Sequence, residues 1–196
     1  MEYTHLLALL SFAIAGSFTP GPNNIMLMTS GANVGFYRTI PHILGIIGGY
    51  SLMLLLVGLG LMQFLQQYPL LQKLLQILCI IYLLYLAYKI ATSKVSNQEQ
   101  TQFRPMSLFA AAGFQWFNPK GWSMALSAIT IYSSDIDDVT AIIMITAVFA
   151  VVNIPSACIW TLAGKKCQNL LANPQRLKIF NYSMASLLVL SVGFSL

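Results

Sequence analysis

The sequence predicts an all-α polytopic membrane protein: six transmembrane helices arranged as two inverted three-helix repeats, with broken first and fourth helices. Three observations lead there. The chain is 57% hydrophobic and 8% charged over 196 residues, with a mean hydropathy of +0.72, whereas a soluble domain carries about a quarter charged residues. Apolar stretches recur six times between short polar joints. Prolines interrupt the first and fourth stretches in mid-run.

A membrane helix needs roughly 20 apolar residues, so this length holds about six spans and leaves nothing for a separate soluble domain. The expected organisation is one transmembrane domain, 1–196. It divides into repeat one at about 1–91, a cytoplasmic loop at about 92–105 and repeat two at about 106–196. By hydropathy the spans fall at 5–30, 41–62, 68–91, 106–132, 139–164 and 177–196. The N-terminal apolar run ends in Ala13-Ile14-Ala15, which mimics a cleavage site, but Glu2 and the absence of Lys or Arg before it speak against a signal peptide. Retention of this segment as the first span is expected.

The net charge of +5 comes from ten Lys and Arg spread thinly between apolar stretches, without the basic face or stacking platform of a nucleic-acid binder. They act instead as topology signals. Arg38, Lys89, Lys94, Arg104, Lys165, Lys166, Arg176 and Lys178 all fall on one side of a six-span layout, while Lys73, Glu2, Asp135, Asp137 and Asp138 fall on the other. The positive-inside rule then places both termini outside. Cys79, Cys158 and Cys167 show no CxxC spacing and no accompanying histidine cluster, so they read as small packing residues.

Three spans precede the central loop and three follow it, so a duplicated three-helix unit would sit inverted in its second copy. In such transporters the best sequence pointer to the site is a pair of interrupted helices at corresponding positions. Here the first interruption is Phe18-Thr19-Pro20-Gly21-Pro22-Asn23-Asn24. Two prolines remove backbone donors and clash one turn back, which should free carbonyls near Gly16 and Phe18. The second is Gln115-Trp116-Phe117-Asn118-Pro119-Lys120-Gly121, where Pro119 should free the carbonyl of Gln115. An unsatisfied polar group in hydrocarbon costs several kcal/mol, so irregular backbone persists only where protein or a wet cavity covers it. Lys120 at midmembrane depth costs about 2.5–3.5 kcal/mol on insertion scales unless it finds partners. It therefore either pairs with freed carbonyls or serves a substrate.

This chemistry suits a zwitterion. A half-helix N-terminus and an ammonium attract a carboxylate, while bare carbonyls attract an ammonium. The expected site takes the carboxylate of an amino acid near Lys120 or a half-helix N-terminus. The substrate's ammonium should lie near the Gly16 and Phe18 carbonyls and the side chains of Asn23, Asn24 and Gln115. Pro20, Gly21, Pro22, Asn118 and Pro119 shape the backbone around it.

Other features carry less. Gly45 and Gly49 form a GxxxG spacing that lets helix backbones approach closely, within one subunit or between two copies of a homodimer. Asn153 and Pro155 mark either a second kink or a cavity wall. His42, beside Pro41 at a predicted span end, reads as interfacial before it reads as a proton carrier, and Trp116 and Trp122 as packing residues.

Thr19-Pro20-Gly21-Pro22-Asn23 in the first span and Asn118-Pro119-Lys120 in the fourth resemble the lysine exporter (LysE/RhtB) family of amino acid exporters. The resemblance extends over essentially the whole chain and its six-span layout. Within the family, the stretch FTPGPNNIMLMTSGANVGF is most similar to the cysteine and O-acetylserine exporter branch. The resemblance implies export of a small neutral amino acid or derivative, cysteine- or O-acetylserine-like or homoserine or threonine, across a bacterial inner membrane. Many members continue after Asn-Pro-Lys toward a Phe-Leu-Pro-Gln-Phe-like end, where this chain has Ile131-Tyr132-Ser133-Ser134-Asp135.

The expected partners are the amino acid substrate and the lipid bilayer. No cofactor, metal or enzymatic activity is expected. No Asp or Glu lies in any predicted span, so the usual carboxylate proton relay is missing. Proton coupling would fall to Lys120, His42 or the loop acids Asp135, Asp137 and Asp138, and the alternative is downhill release. Two other functions fit a six-helix scaffold less well. A membrane thiol-disulfide electron carrier needs paired cysteines beside the breaks, and a metal-ion exporter needs carboxylate or histidine ligands within the spans.

Overall fold

The computed structural model describes residues 3–61, 63–64, 67–93, 103–133, 139–167, 171 and 173–193, and these form helices and turns with no strand. The first predicted span is two helices, α1 (Tyr3–Phe18) and α2 (Pro22–Val34), bent by 53° at the break. The second is α3 (Phe36–Leu56), extended by a π turn at Val57–Leu61. The third is α4 (Pro69–Thr92). The fourth again comes in two pieces, α5 (Leu108–Phe114) with a 3-10 turn at Gln115–Phe117, then α6 (Pro119–Tyr132). The last two are α7 (Val139–Cys167) and α8 (Pro174–Gly193).

Among the described residues, two helices are long and apolar enough to cross a membrane, Phe36–Leu61 and Val139–Cys167, and a third joins them if the bent pair α1 and α2 counts as one span. Met62, Lys94, Ser134, Asp135, Asp137, Asp138, Glu2 and most of the predicted central loop lie outside the described residues.

Local chemistry sets the boundaries. α2, α4, α6 and α8 each begin on a proline, whose missing N–H is one that a first turn leaves unpaired anyway. α2 and α3 are separated by Gly35, at φ 79°, with its N–H donated to the Gly31 carbonyl. A side chain there would oppose the positive φ, and this residue starts α3 five positions before the predicted Pro41. Ser107 caps α5 by accepting from the Ala110 N–H at 3.3 Å.

Glycines then fix the crossings. A Cβ on Gly31 would strike the Thr161 carbonyl of α7, and one on Gly164 would strike the Met28 carbonyl of α2, so these backbones touch directly. Gly45 and Gly49 lie the same way against Leu108 and Ala112 of α5, so the GxxxG face packs within the chain. Around these crossings sit two larger apolar clusters. One joins Leu9, Met53, Ala125, Ile142 and Phe149 of α1, α3, α6 and α7. The other joins Ile25, Leu83, Phe114 and Leu188 of α2, α4, α5 and α8. The two breaks lie between them.

Candidate functional site

The breaks meet. At the first, Pro20 and Pro22 stop α1, and side chains take up the carbonyls left behind. The Thr19 hydroxyl donates to the Gly16 carbonyl at 2.9 Å. The Asn24 amide donates to Ser17 at 2.7 Å and to Thr19 at 2.8 Å, and the Ser156 hydroxyl of α7 reaches the same Ser17 carbonyl at 2.7 Å. Of the carbonyls expected to be freed, that of Gly16 is taken by the Thr19 hydroxyl of its own turn, while donors from further away converge on the Ser17, Thr19 and Pro20 carbonyls.

The second break repairs itself differently. The Asn118 N–H donates to the Gln115 carbonyl at 3.2 Å in a 3-10 turn, so Pro119 does not leave that carbonyl free. A single proline allows this tightening; two prolines within three residues do not. The side chains of the second break are thereby released to reach the first. Lys120 Nζ donates to the Thr19 carbonyl at 2.9 Å, to the Thr19 hydroxyl at 2.7 Å and, at 3.4 Å, to the Pro20 carbonyl. Gly21 makes room for it, since a Cβ there would lie 2.7 Å from Lys120 Cδ. Asn23 and Gln115 exchange a reciprocal pair of amide hydrogen bonds, 2.8 and 3.2 Å, and Gln115 also donates to the Ala111 carbonyl at 2.9 Å.

Between the breaks lies a cavity of about 40 Å³. At roughly 10–15 Å³ per water-sized sphere, this holds a few waters and not an amino acid. Of the residues the sequence singles out, Gly16, Gly21, Pro22, Asn23, Asn24, Asn118 and Lys120 line it. Four do not. Phe18 packs against the apolar cluster, Pro20 is exposed and contributes its carbonyl, Gln115 is fully buried behind Asn23, and Pro119 opens α6.

Asn153 lines the cavity, while Pro155 lies inside an unbroken α7. Sequence reasoning missed Ser17, Tyr50 and Ser156, which also line it. The Ser17 hydroxyl, the Tyr50 hydroxyl and Asn118 Oδ1 are buried with no hydrogen-bond partner among the described residues. A polar group left so is costly, and three around one cavity make it a polar pocket in an apolar bundle. Tyr50 could have been suspected from its place one turn after Ile46 on the helix that Gly45 and Gly49 hold against α5. Ser156 carries no signal in one sequence.

His42 is 1% exposed, buried within the protein, and its Nδ1 lies 3.3 Å from the Ser30 hydroxyl. Trp122 donates to the Trp116 carbonyl at 3.1 Å and stacks edge-on to its ring, in keeping with a packing role. Cys158 and Cys167 are free thiols.

A family model described as "LysE type translocator" matches residues 14–196. Among curated proteins, the chain is 27% identical over 171 residues to a "Cysteine/O-acetylserine efflux protein" of Escherichia coli O157:H7, covering 87% of each chain. Proteins of the same description from Escherichia coli strain K12 and Shigella sonnei strain Ss046 match with the same identity and coverage. No solved structure matches the chain.

Proposed function

Because the chain belongs to the LysE type translocator family, we propose that it exports a small neutral amino acid of the cysteine or O-acetylserine kind through a site between its two helix breaks. The observation that carries this is the convergence of both breaks on one polar cavity, with Lys120 of the second held by Thr19 and Pro20 of the first. The names of the relatives point to cysteine and O-acetylserine. Both carry one ammonium and one carboxylate, which the cavity can meet with one cation and a set of neutral acceptors.

In this reading the carboxylate is taken by Lys120. An ammonium has three donors, and those of Lys120 already face three oxygens, so the carboxylate displaces one. The 3.4 Å contact to the Pro20 carbonyl is the weakest and goes first. The substrate's ammonium faces Asn118 Oδ1 and the Ser17 hydroxyl, and the Tyr50 hydroxyl donates to the carboxylate. A cavity of about 40 Å³ is then a closed state, and loading separates the breaks.

The architecture proposed around this site is six spans as two inverted repeats in a bacterial inner membrane, with both termini periplasmic. Support comes from which spans touch. Exchanging span one with four, two with five and three with six maps the α2–α7 packing onto α3–α5, and leaves α4–α8 and α3–α7 each mapped onto itself. The correspondence is one of whole spans. At the level of half-helices α2 makes the contact in one repeat and α5 in the other.

Efflux from preloaded proteoliposomes, measured for cysteine, O-acetylserine, homoserine, threonine and lysine, tests the reading. Export of the neutral members with lysine rejected is the expected result. Preference for lysine would overturn it, because no carboxylate stands in the predicted spans to hold a second positive charge.

A further inference from the structure

A second cavity, of about 340 Å³, lies away from the breaks. That volume falls within the range of small-molecule sites, roughly 300–1,000 Å³. It sits where α2 ends, α3 begins, α4 ends and α5 begins, at the end of the bundle that carries Arg38, Lys89 and Arg104. Lys89 and Arg104 line it together with Tyr82, Tyr85, Ser30 and His42. Lys89 Nζ stands 5.3 Å from the centre of the Tyr85 ring. His42 brings a buried imidazole whose Nε2 has no hydrogen-bond partner among the described residues.

Two helices, α2 and α3, wall both cavities. On α3, His42 lines the larger one and Ile46 and Tyr50 the smaller. Steps of four residues put all three on one face, and eight residues span roughly 12 Å of helix axis. On α2, Met26 and Ser30 face the larger cavity while Asn23 and Leu27 face the smaller. Between them on these helices stand Met26 and Leu27 of α2 and Ile46 of α3.

Two cations beside two tyrosine rings form a surface for a carboxylate and, on the ring faces, an ammonium. We propose that this cavity is the intake vestibule of the exporter, a second amino acid site where Arg104 and Lys89 take the substrate's carboxylate before it passes along the His42–Ile46–Tyr50 face to the breaks. The assignment rests on the export reading and on the loop-side orientation given with it. It accounts for a need the inner site leaves open. A closed cavity in an apolar bundle requires a wet antechamber in which the zwitterion is recognised before it sheds its water, and clustered charge at a cleft raises the local concentration of an oppositely charged group.

The test uses the full chain in vesicles of zwitterionic lipid, with the loop side facing the bath. Uptake of O-acetylserine is measured against concentration for the wild type and for K89Q/R104Q. The double variant should raise KM by at least about tenfold with Vmax retained; an unchanged KM overturns the vestibule. A second arm guards against a misfolded variant by keeping both cations. Ala110→Cys, placed with Cys79, Cys158 and Cys167 changed to Ser, should react faster with an anionic than with a cationic methanethiosulfonate, and O-acetylserine should slow the anionic reaction. Equal rates, or protection by added phosphatidylglycerol but not by the amino acid, would overturn the proposal, the latter by assigning the cations to a lipid headgroup. A wild type that moves no amino acid of the panel sinks the export reading itself, which is a different result from transport with an unaltered KM.

Discussion

The two breaks solve one problem in different ways. The first, with two prolines, loses too many backbone donors to repair itself. It recruits Thr19, Asn24, Ser156 and Lys120 to its carbonyls. The second has one proline and tightens into a 3-10 turn that satisfies its own Gln115 carbonyl. The first break is thus a set of acceptors held in place by side chains, and the second a set of side chains made available by a satisfied backbone. A solute with both charges needs both kinds of surface, and neither break supplies them alone.

The largest effect expected from breaking this asymmetry is at Lys120. Lys120 is half-buried, and losing a hydrogen bond to a charged group costs about 1.5–3 kcal/mol, which at about 1.4 kcal/mol per decade is a loss of roughly tenfold to a hundredfold. Lys120→Met should reduce O-acetylserine efflux by that much. Thermal stability in detergent should change little, because the Thr19 carbonyl keeps its bond from Asn24. Full transport by this variant would remove Lys120 from the site and leave it as a clasp between helices.

Asn24 should show the opposite balance. Its amide serves two carbonyls, but each has a second donor, Ser156 for Ser17 and Lys120 for Thr19. Asn24→Leu therefore removes two hydrogen bonds without orphaning an acceptor, a loss of about 2 kcal/mol. Denaturation of the purified variant should show it. Adding Ser156→Ala should cost more than the sum of the single changes, since the Ser17 carbonyl then loses both partners. Strict additivity would mean that these donors do not share a carbonyl.

Proline is visible in a sequence, and so were the positions of both breaks, the residues that flank them and the presence of Lys120. The third span starts at Pro69, one residue from the predicted 68, while the last starts at Pro174, three residues before the predicted 177. What repairs a break was not legible. Ser156 lies 139 residues from the carbonyl it serves, and Gln115 lies 92 from Asn23. Such pairs follow from how α7 and α5 cross α2 and α3, and the crossings depend on Gly31 and Gly164 as much as on the visible Gly45–Gly49 spacing. Hydropathy put the start of the second span at Pro41, whereas the positive φ of Gly35 starts the helix at Phe36.

The smallest effect sharpens the comparison most directly. Asn23 belongs to the acceptor-rich break and Gln115 to the other, and their reciprocal bonds, with Lys120, join the two. Gln115 keeps its Ala111 bond when Asn23 is removed, so Asn23→Ala alone understates the contact. Gln115→Ala alone overstates it by also losing that bond. A double-mutant cycle cancels the difference. Side-chain hydrogen bonds between membrane helices average about 0.6 kcal/mol and reach about 1.7, and a two-bond pair at a fully buried residue should fall in the upper half of that range. A coupling near zero would mean that the breaks are neighbours joined only through Lys120, and that separating them to admit a substrate costs little beyond that ammonium's contacts. A coupling above about 1 kcal/mol would place the amide pair among the bonds that loading must break.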